Sequence, residues 1–223
     1  PAPALATLAR RMAERAQAAE AELRASELEA NRLRRRLNRA RREAERDHLT
    51  GLPNRRAFEF ELHRQYAKAR EEGGRLCLAF CDVDHFKLVN DRHGHDTGDR
   101  ILKLIAGALA SISGNNCHVA RHGGEEFVLL FRGQTLGQAI DRLDGAREDL
   151  AKRRLIDRET EQTIGQVTFS AGVADAMAHT GPEDALRAAD EALLRAKDQG
   201  RNMVVAAKGS PTPLSSAAPC HRR

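Results

Sequence analysis

The sequence predicts an α/β fold of the α+β type, with a mostly antiparallel central sheet flanked by helices and one long helix before it. Two features of the 223 residues support this prediction. From Leu5 to about Arg46 the chain is rich in Ala, Arg, Glu and Leu and contains neither Gly nor Pro, which is typical of a long helix. Beyond it, short apolar runs alternate with amphipathic segments and glycine-containing turns, which indicates one layered domain.

The composition divides the chain into three segments. Residues 1–46 form the long helix, residues 47–207 a globular domain, and residues 208–223, rich in Pro, Ser and Ala, a disordered tail. The four cysteines match no zinc spacing, and Cys77 and Cys81 lie inside an apolar run. We therefore expect buried free thiols in a reducing compartment.

The charge and hydropathy of the chain argue against nucleic-acid and membrane partners. The net charge is +5, but much of the arginine lies between Arg32 and Arg46, so we interpret the excess as a solvated helix face. No aromatic stacking platform accompanies it, which argues against a nucleic-acid partner. No apolar run approaches the roughly 18 residues that span a bilayer, and the N-terminus lacks a signal-peptide core. We expect a soluble, cytoplasmic segment with no membrane contact.

A heptad pattern runs along the long helix. Apolar or small residues recur at alternating steps of three and four, at Leu23, Ser26, Ala30, Leu33, Leu37, Ala40 and Ala44. This seam predicts a homodimer through a coiled coil. Leu8, Met12 and Ala16 step by four twice, which interrupts the heptad and would locally unwind a supercoil. A lone charged helix is the alternative, because many seam positions are Ala or Ser.

The globular part shows strands and helices in turn. Gly51 and Pro53 end the long helix, and Pro53 suits the first turn of a new one. The further expected elements are a helix to about Arg70, a strand from Arg75 to Asp82, a polar loop from His85 to Asp99 that enters a helix capped by Asp96 or Thr97, strands Cys117–Ala120 and Phe127–Phe131, a helix from Thr135 to about Arg154, a strand Val167–Val173, a helix Pro182–Asp198 closed by Gly200, and a strand Met203–Ala206.

The segment from Arg121 to Phe127 joins two short β-prone runs through a glycine pair, which predicts a hairpin. Gly123 and Gly124 have no side chains and can take positive φ, so backbone amides there can approach a charged ligand. On an extended backbone the consecutive Glu125 and Glu126 would point to opposite faces, so we expect one of them to face a given site. An ordinary surface hairpin is the alternative for this motif alone.

Asp82 and Asp84 stand at the end of the apolar run that begins at Arg75. Two carboxylates at the end of a buried strand are costly unless they are paired or bind a cation. Oxygen ligands from this strand and from the neighbouring hairpin suit a hard divalent cation such as Mg²⁺. The residues therefore predict a metal site where the strand meets the hairpin.

Five motifs in this order resemble the GGDEF family of diguanylate cyclases, over roughly Asp47 to Ala207. They are Asp47-x-Leu49-Thr50-Gly51-Leu52-Pro53-Asn54-Arg55-Arg56, Asp82-x-Asp84-x-Phe86-Lys87-x-x-Asn90-Asp91, Gly94-His95-x-x-Gly98-Asp99, Gly123-Gly124-Glu125-Glu126-Phe127 and Ala196-Lys197-x-x-Gly200-Arg201-Asn202. Such bacterial enzymes condense two GTP into cyclic di-GMP with release of pyrophosphate. The resemblance implies a fold similar to the palm of nucleotidyl cyclases and polymerases.

The resemblance also implies roles for individual residues. Asp82, the Val83 carbonyl and Glu125 would hold two Mg²⁺ ions, with Mn²⁺ as an alternative, and Glu125 would also accept a proton with Glu126 close by. The remaining implied roles are guanine recognition by Asn90 and Asp99, lining of the same pocket by His95, close backbone approach to phosphate at Gly123 and Gly124, and neutralisation of phosphate charge by Lys87, Lys197 and Arg201.

Each subunit of such an enzyme holds one GTP, so two domains must face each other transiently, and an upstream sensor domain would supply the input. One departure stands out. Many relatives carry an inhibitory Arg-x-x-Asp before the hairpin, where this chain has Gly114-Asn115-Asn116-Cys117. We therefore expect no product inhibition through that site. The alternatives are a non-catalytic nucleotide sensor and a passive assembly module.

Overall fold

The computed structural model describes residues 2–114, 116–156 and 163–209. The chain forms two compact units that divide after Glu45. The first unit is helix α1 (Ala2–Ala44), which confirms the long helix. Leu23, Leu33 and Leu37 of the predicted seam are 61%, 54% and 68% exposed, so an apolar stripe lies open on the single chain. Coiled-coil pairing stays a prediction, and the side chains of Leu8, Ala16 and Ala40 lie outside the described residues.

The second unit is a five-stranded sheet with helices on both faces. Its elements are α2 (Arg55–Glu72), β1 (Leu76–Val83), α3 (Phe86–Ser111), β2 (Cys117–Arg121), β3 (Glu126–Arg132), α4 (Leu136–Ala151), β4 (Arg154–Ile156), β5 (Thr163–Gln166), β6 (Phe169–Asp175), a 3₁₀ turn (Ala176–Ala178), α5 (Pro182–Asp198) and β7 (Val204–Ala206). The strand order is β2-β3-β1-β6-β7. All pairs are antiparallel except β6 with β7, which confirms the mostly antiparallel sheet.

The central strand β1 separates two apolar cores. Its odd-numbered residues from Cys77 to Val83 pack with α3 and α4, whereas Leu76, Leu78 and Phe80 pack with α2 and α5. All eight residues of β1 are buried. Because side chains alternate along a strand, Asp82 continues the second set. The fold therefore places one carboxylate at the end of the core under α2 and α5.

Several local predictions were confirmed. Helix α5 begins at Pro182, in the first helical position, and ends at Asp198, and Gly200 follows with φ 119°. Cys77, Cys81 and Cys117 are buried free thiols, while Cys220 lies outside the described residues, as do residues 210–223 of the predicted tail. Within the part that the structure describes, no helix combines the length and apolarity needed to cross a bilayer.

Other local predictions were wrong. Pro53 precedes the helix, because Asn54 is the N-cap and accepts a hydrogen bond from the Ala57 amide. The expected loop from residue 85 to 99 is helical from Phe86, since Phe86 is buried in the core, and Gly94 interrupts the helix with φ 78° and ψ 165°. The two-stranded sheet of β4 and β5 was not predicted, because its short strands offer few alternating apolar residues.

Gly172 of β6 allows α5 to pack directly on the sheet. A Cβ at this position would overlap the backbone carbonyl oxygen of Ala189 and the backbone nitrogen of Leu193. We predict that Gly172→Ala lowers the free energy of unfolding by about 1–3 kcal/mol or more, as overpacking does. Gly145→Ala is the control, because no atom lies within 4 Å of a Cβ there, and it should be neutral or slightly stabilising. Equal urea unfolding midpoints for the two variants would contradict the prediction.

Candidate active site

Three carboxylates converge where β1 ends beside the hairpin. Asp82 pairs with Glu126 across β1 and β3 and with Ser170 across β1 and β6. The backbone amide of Val83 donates to the carbonyl oxygen of Glu125 at 3.2 Å, which holds the hairpin turn at the end of β1. Burial raises the pKa of Glu125 and of Glu126, and the charge of Asp82 raises both further. Both glutamates therefore share one electrostatic environment with Asp82.

The expected separation of the two glutamates was based on an extended backbone. Strand β3 begins at Glu126, so Glu125 lies in the turn, where strict alternation does not apply. The charges of both side chains interact with Asp82 and with Lys197. That only one of them faces the site stays a prediction, because backbone alternation does not decide it here.

Asp82 is compensated by a lysine of α5. Its side chain is 8% exposed, and its Oδ1 lies 2.8 Å from Nζ of Lys197. Burial raises the pKa of Asp82, Asp84 adds to this effect, and Lys197 and Arg201 oppose it. One ammonium group therefore faces three carboxylates, so the cluster retains negative charge that a divalent cation suits.

The side chains around Asp82 show whether the predicted metal ligands fit a divalent cation. Within the described ranges, no group of three His, Cys, Asp or Glu side chains has the geometry to hold a metal ion. The predicted set does not need one, because it consists of two carboxylates and the Val83 carbonyl. The buried Asp82 and the partly buried Glu125, whose pKa is raised by burial and by the charge of Asp82, fit a hard cation.

Asp84 is satisfied by the protein itself. Its carboxylate accepts hydrogen bonds from Thr168 Oγ1 and Ser170 Oγ, both at 2.7 Å, and from the Asn202 amide at 3.0 Å. Of the two ways to compensate a buried carboxylate, pairing and cation binding, Asp84 therefore uses pairing. It is an anchor between β1, β6 and the segment after α5, and Asp82 is the carboxylate left for a ligand.

Different features explain the two glycines of the hairpin: Gly123 lies close to a neighbouring side chain, and Gly124 is exposed. Neither Gly123 nor Gly124 has positive φ among the described residues, so that part of the expectation was wrong. A Cβ on Gly123 would overlap the carboxylate of Glu126, whereas Gly124 faces open space. The amides of His122 and Gly123 both donate to the carbonyl oxygen of Glu126. The turn is thus held from inside, and its outer backbone is accessible.

Sequence reasoning missed Arg121, which braces this turn. Its Nη1 lies 3.0 and 3.2 Å from the two carboxylate oxygens of Asp47. Its Nε donates to the carbonyl oxygen of Gly123 at 3.1 Å, and its Nη2 to that of Gly124 at 2.6 Å. Asp47 begins the first of the five motifs and Arg121 begins the hairpin segment, but only the fold brings these two residues into contact. The guanidinium therefore ties the turn before α2 to the hairpin.

A second group of predicted residues lies on α3, on both sides of the break at Gly94. The Oδ1 atom of Asn90 is buried and has no hydrogen-bond partner in the described part of the chain, and a Cβ on Gly98 would overlap it. An unpaired buried acceptor is costly and fits a donor from a ligand. Lys87, His95 and Asp99 are exposed, and no hydrogen bond or ion pair joins them to the carboxylates among the described residues.

The fold and this site define an α+β domain with a carboxylate cluster beside a glycine hairpin, and comparison with known families names it. The profile of the diguanylate cyclase GGDEF domain matches residues 44–203. The chain therefore belongs to the GGDEF domain family of diguanylate cyclases.

Two curated relatives illustrate the similarity. The chain is 35% identical over 184 residues to the diguanylate cyclase VdcA of Vibrio cholerae, which covers 82% of this chain and 53% of VdcA. It is 39% identical over 156 residues to the diguanylate cyclase DgcP of Pseudomonas aeruginosa, which covers 70% of this chain and 23% of DgcP. The chain thus spans about half or less of the length of these relatives.

Solved structures show the same architecture. The coiled coil and GGDEF domain of DgcB from Caulobacter crescentus, in complex with c-di-GMP, matches with a TM-score of 0.79 and 38% identity, over 84% of this chain and 98% of that one. The diguanylate cyclase SiaD of Pseudomonas aeruginosa, in complex with its activator SiaC, matches with a TM-score of 0.71 and 37% identity, over 90% and 76%. A helix before a GGDEF domain is thus found in a similar protein.

The contact between Arg121 and Asp47 depends on pH, because Asp47 must be ionised to hold the guanidinium. Burial would raise the pKa of Asp47, but hydrogen bonds from Thr50 and Arg121 outweigh it and lower the pKa below the ordinary 3.8. A carboxyl with a depressed folded pKa stabilises the protein above its unfolded pKa, and this contribution is lost as the pH falls through the folded value. We predict that Asp47→Asn lowers the free energy of unfolding by about 1–3 kcal/mol at neutral pH.

The difference between Asp47→Asn and the parent should shrink as the pH falls below about 4. Asp149→Asn is the matched control, because Asp149 pairs with Lys152 on the surface, where both side chains are about 70% exposed; its effect should be near zero. Urea unfolding from pH 7 to about 3 measures both. A parent-to-variant difference that stays constant over this range would show that the Asp47 charge contributes nothing.

Proposed function

We propose that this chain is a diguanylate cyclase that condenses two GTP molecules into cyclic di-GMP and pyrophosphate. The observation that carries the proposal is that Asp82, paired with the Lys197 ammonium, lies at the end of β1 directly beside the hairpin that carries Glu125 and Glu126. Acidic ligands for cations and a basic group for phosphate meet there beside an exposed glycine backbone. Membership of the family supports the same chemistry.

Asp82, the Val83 carbonyl and Glu125 would hold two Mg²⁺ ions, with Mn²⁺ as an alternative. When bound, such cations lower the pKa of an attacking hydroxyl and neutralise charge on the attacked phosphate. Glu125 would accept the proton of the 3′-hydroxyl. Glu126, the third carboxylate of the cluster, would add negative charge beside the metal ions.

Cationic side chains would receive the triphosphate. Lys197 already lies beside Asp82, and the Arg201 charge acts on the same carboxylate. Both would neutralise the β- and γ-phosphates and the charge of the transition state, and the exposed Lys87 would join them when GTP is bound. Gly123 and Gly124 would let the hairpin backbone lie against the phosphates, with the exposed Gly124 nearest to solvent.

The buried acceptor of Asn90 would select the base. Guanine presents N–H donors on its Watson–Crick edge, and Asn90 and Asp99 offer acceptors for them. Gly98 leaves the space that the Asn90 side chain occupies. His95 would line the pocket on the solvent side, so α3 recognises the base while β1, the hairpin and α5 act on the phosphates.

Product formation needs two subunits, because each domain would hold one GTP. We infer that α1 brings them together as a coiled coil through its exposed leucine stripe, so that the two domains face each other transiently. An upstream sensor domain would bias this encounter, and the reaction would take place in the bacterial cytoplasm, where GTP is available. No nucleic acid is required.

The test of the function is to incubate the purified chain with GTP and Mg²⁺ and to separate the nucleotide products by chromatography. We expect cyclic di-GMP from the parent and a rate lower by about 10²- to 10⁴-fold for Glu125→Ala, which removes a metal ligand and proton acceptor. Glu72→Ala is the control, since Glu72 is exposed at the end of α2, and should keep parent activity. No product from a parent shown to be dimeric would favour a nucleotide sensor or an assembly module.

Loss of product inhibition is a separate prediction. Gly114 and Asn116 offer no charge, Cys117 is 4% exposed in the core, and Asn115 lies outside the described residues. We expect the initial rate at saturating GTP to stay constant when cyclic di-GMP is added, because the guanidinium and carboxylate of the inhibitory motif are missing. Pyrophosphatase in the assay excludes the reverse reaction. A saturable fall in rate that persists at saturating GTP would show that product binds at another inhibitory site.

A further inference from the structure

The segment that joins α5 to β7 carries Arg201 in an uncommon backbone conformation. Arg201 has φ 63° and Asn202 has φ 48°, so two consecutive residues other than glycine are left-handed. Such conformations are uncommon, although Asn tolerates them better than most residues. They persist where the surroundings over-determine them, and they cluster at functional sites. The structure must therefore contain contacts that hold this segment.

The backbone groups of three successive residues in the segment are held by hydrogen bonds. The Arg201 amide donates to the carbonyl oxygen of Ala196, and the carbonyl oxygen of Met203 accepts from Ala171, both at 3.0 Å. Between them, the Asn202 amide donates to Asp84 Oδ2 at 3.0 Å. Because Asp84 directly follows Val83, the same anchor also fixes the carbonyl proposed as a metal ligand.

Arg147 of α4 holds the side chain of Asn202. Its Nη1 donates to Asn202 Oδ1 at 2.9 Å, and its Nε donates to Asp144 Oδ1 at 2.5 Å. Its Nη2 lies 3.6 Å from Glu148 Oε1, and its side chain is only 13% exposed. A planar guanidinium can make these contacts together, which an ammonium group cannot. Arg147 is therefore itself held in place and can fix Asn202.

We propose that Arg147 is a positioning residue for the triphosphate side of the active site. Through Asn202 it sets the left-handed backbone that aims Arg201 towards Asp82 and the phosphates. It reaches the site from α4, which packs with α3 on the face of the sheet away from Asp82, so it touches neither substrate nor metal. This inference rests on the proposed function, in which Lys197 and Arg201 meet the triphosphate.

The role predicts a selective loss. If Arg147 only stabilised the fold, its removal would weaken binding of every guanine nucleotide alike. If it positions Arg201, its removal weakens binding of GTP and leaves GMP almost unchanged, because GMP lacks the β- and γ-phosphates. A misplacement of about 1 Å in a phosphate-binding group costs up to about 100-fold. We expect a 10- to 100-fold loss of GTP affinity and less than about a twofold change for GMP.

Two variants test the contact independently. Arg147→Met removes the guanidinium, whereas Asn202→Gly removes only the side-chain acceptor, since glycine keeps the amide that bonds Asp84 and tolerates positive φ. Calorimetry in Mg²⁺ with GMP, and with a GTP analogue whose α–β phosphate bridge cannot be cleaved, gives both affinities without turnover. The double variant should lose no more GTP affinity than the weaker-binding single variant, because both changes break one interaction. Lys152→Met, which removes an exposed ion pair beyond the end of α4, is the control.

The outcomes separate the two proposals. Parent-like GTP affinity in both single variants, or equal losses for GTP and GMP, would overturn the positioning role alone. Additive losses in the double variant would also overturn it, because they would show that Arg147 and Asn202 act separately. Failure of the parent to bind the non-cleavable GTP analogue at all would overturn the proposed function, and this inference with it. If Arg147→Met does not fold, Asn202→Gly carries the same comparison.

Discussion

The carboxylate of Asp82 lies at the buried end of the central strand, and its charge must be balanced where the sheet meets the hairpin. Lys197 supplies one positive charge at 2.8 Å, but Glu125 and Glu126 add two negative charges to the same space. The raised pKa values of all three carboxyl groups show that this arrangement disfavours their charged forms. The site therefore costs stability at neutral pH, as functional sites often do, and a bound cation would relieve that cost.

The geometry of the site depends on residues that lie outside the carboxylate cluster. Arg121 braces the hairpin against Asp47, and Asp84 ties β1 to β6 and to the segment that carries Arg201. Arg147 continues this support from the opposite face of the sheet. Three buried or half-buried polar networks thus surround one carboxylate cluster. Rigid support of this kind is what pre-organised catalysis requires, because groups held in place need no rearrangement when charge develops.

Local patterns predicted the parts of the fold that depend on local chemistry. The start of helix α5 was predicted from Pro182 and its approximate end from Gly200, and the hairpin was predicted from its glycine pair. The helical start of α3 was missed because only two apolar residues, Phe86 and Val89, mark the buried face of its first turn, and Gly94 follows soon after them. The support network could not be predicted, because Arg121 lies 74 residues from Asp47 and Arg147 lies 55 residues from Asn202, and no local period reports such contacts.

We propose that the carboxylate cluster holds divalent cations together with GTP. The most direct measurement counts Mn²⁺ ions bound per chain by electron paramagnetic resonance, with a non-hydrolysable GTP analogue present. The same count on Glu125→Gln changes one ligand and keeps its shape. We expect two ions in the parent and fewer in the variant. Equal counts in both proteins would show that Glu125 is no ligand and that the cluster serves another purpose.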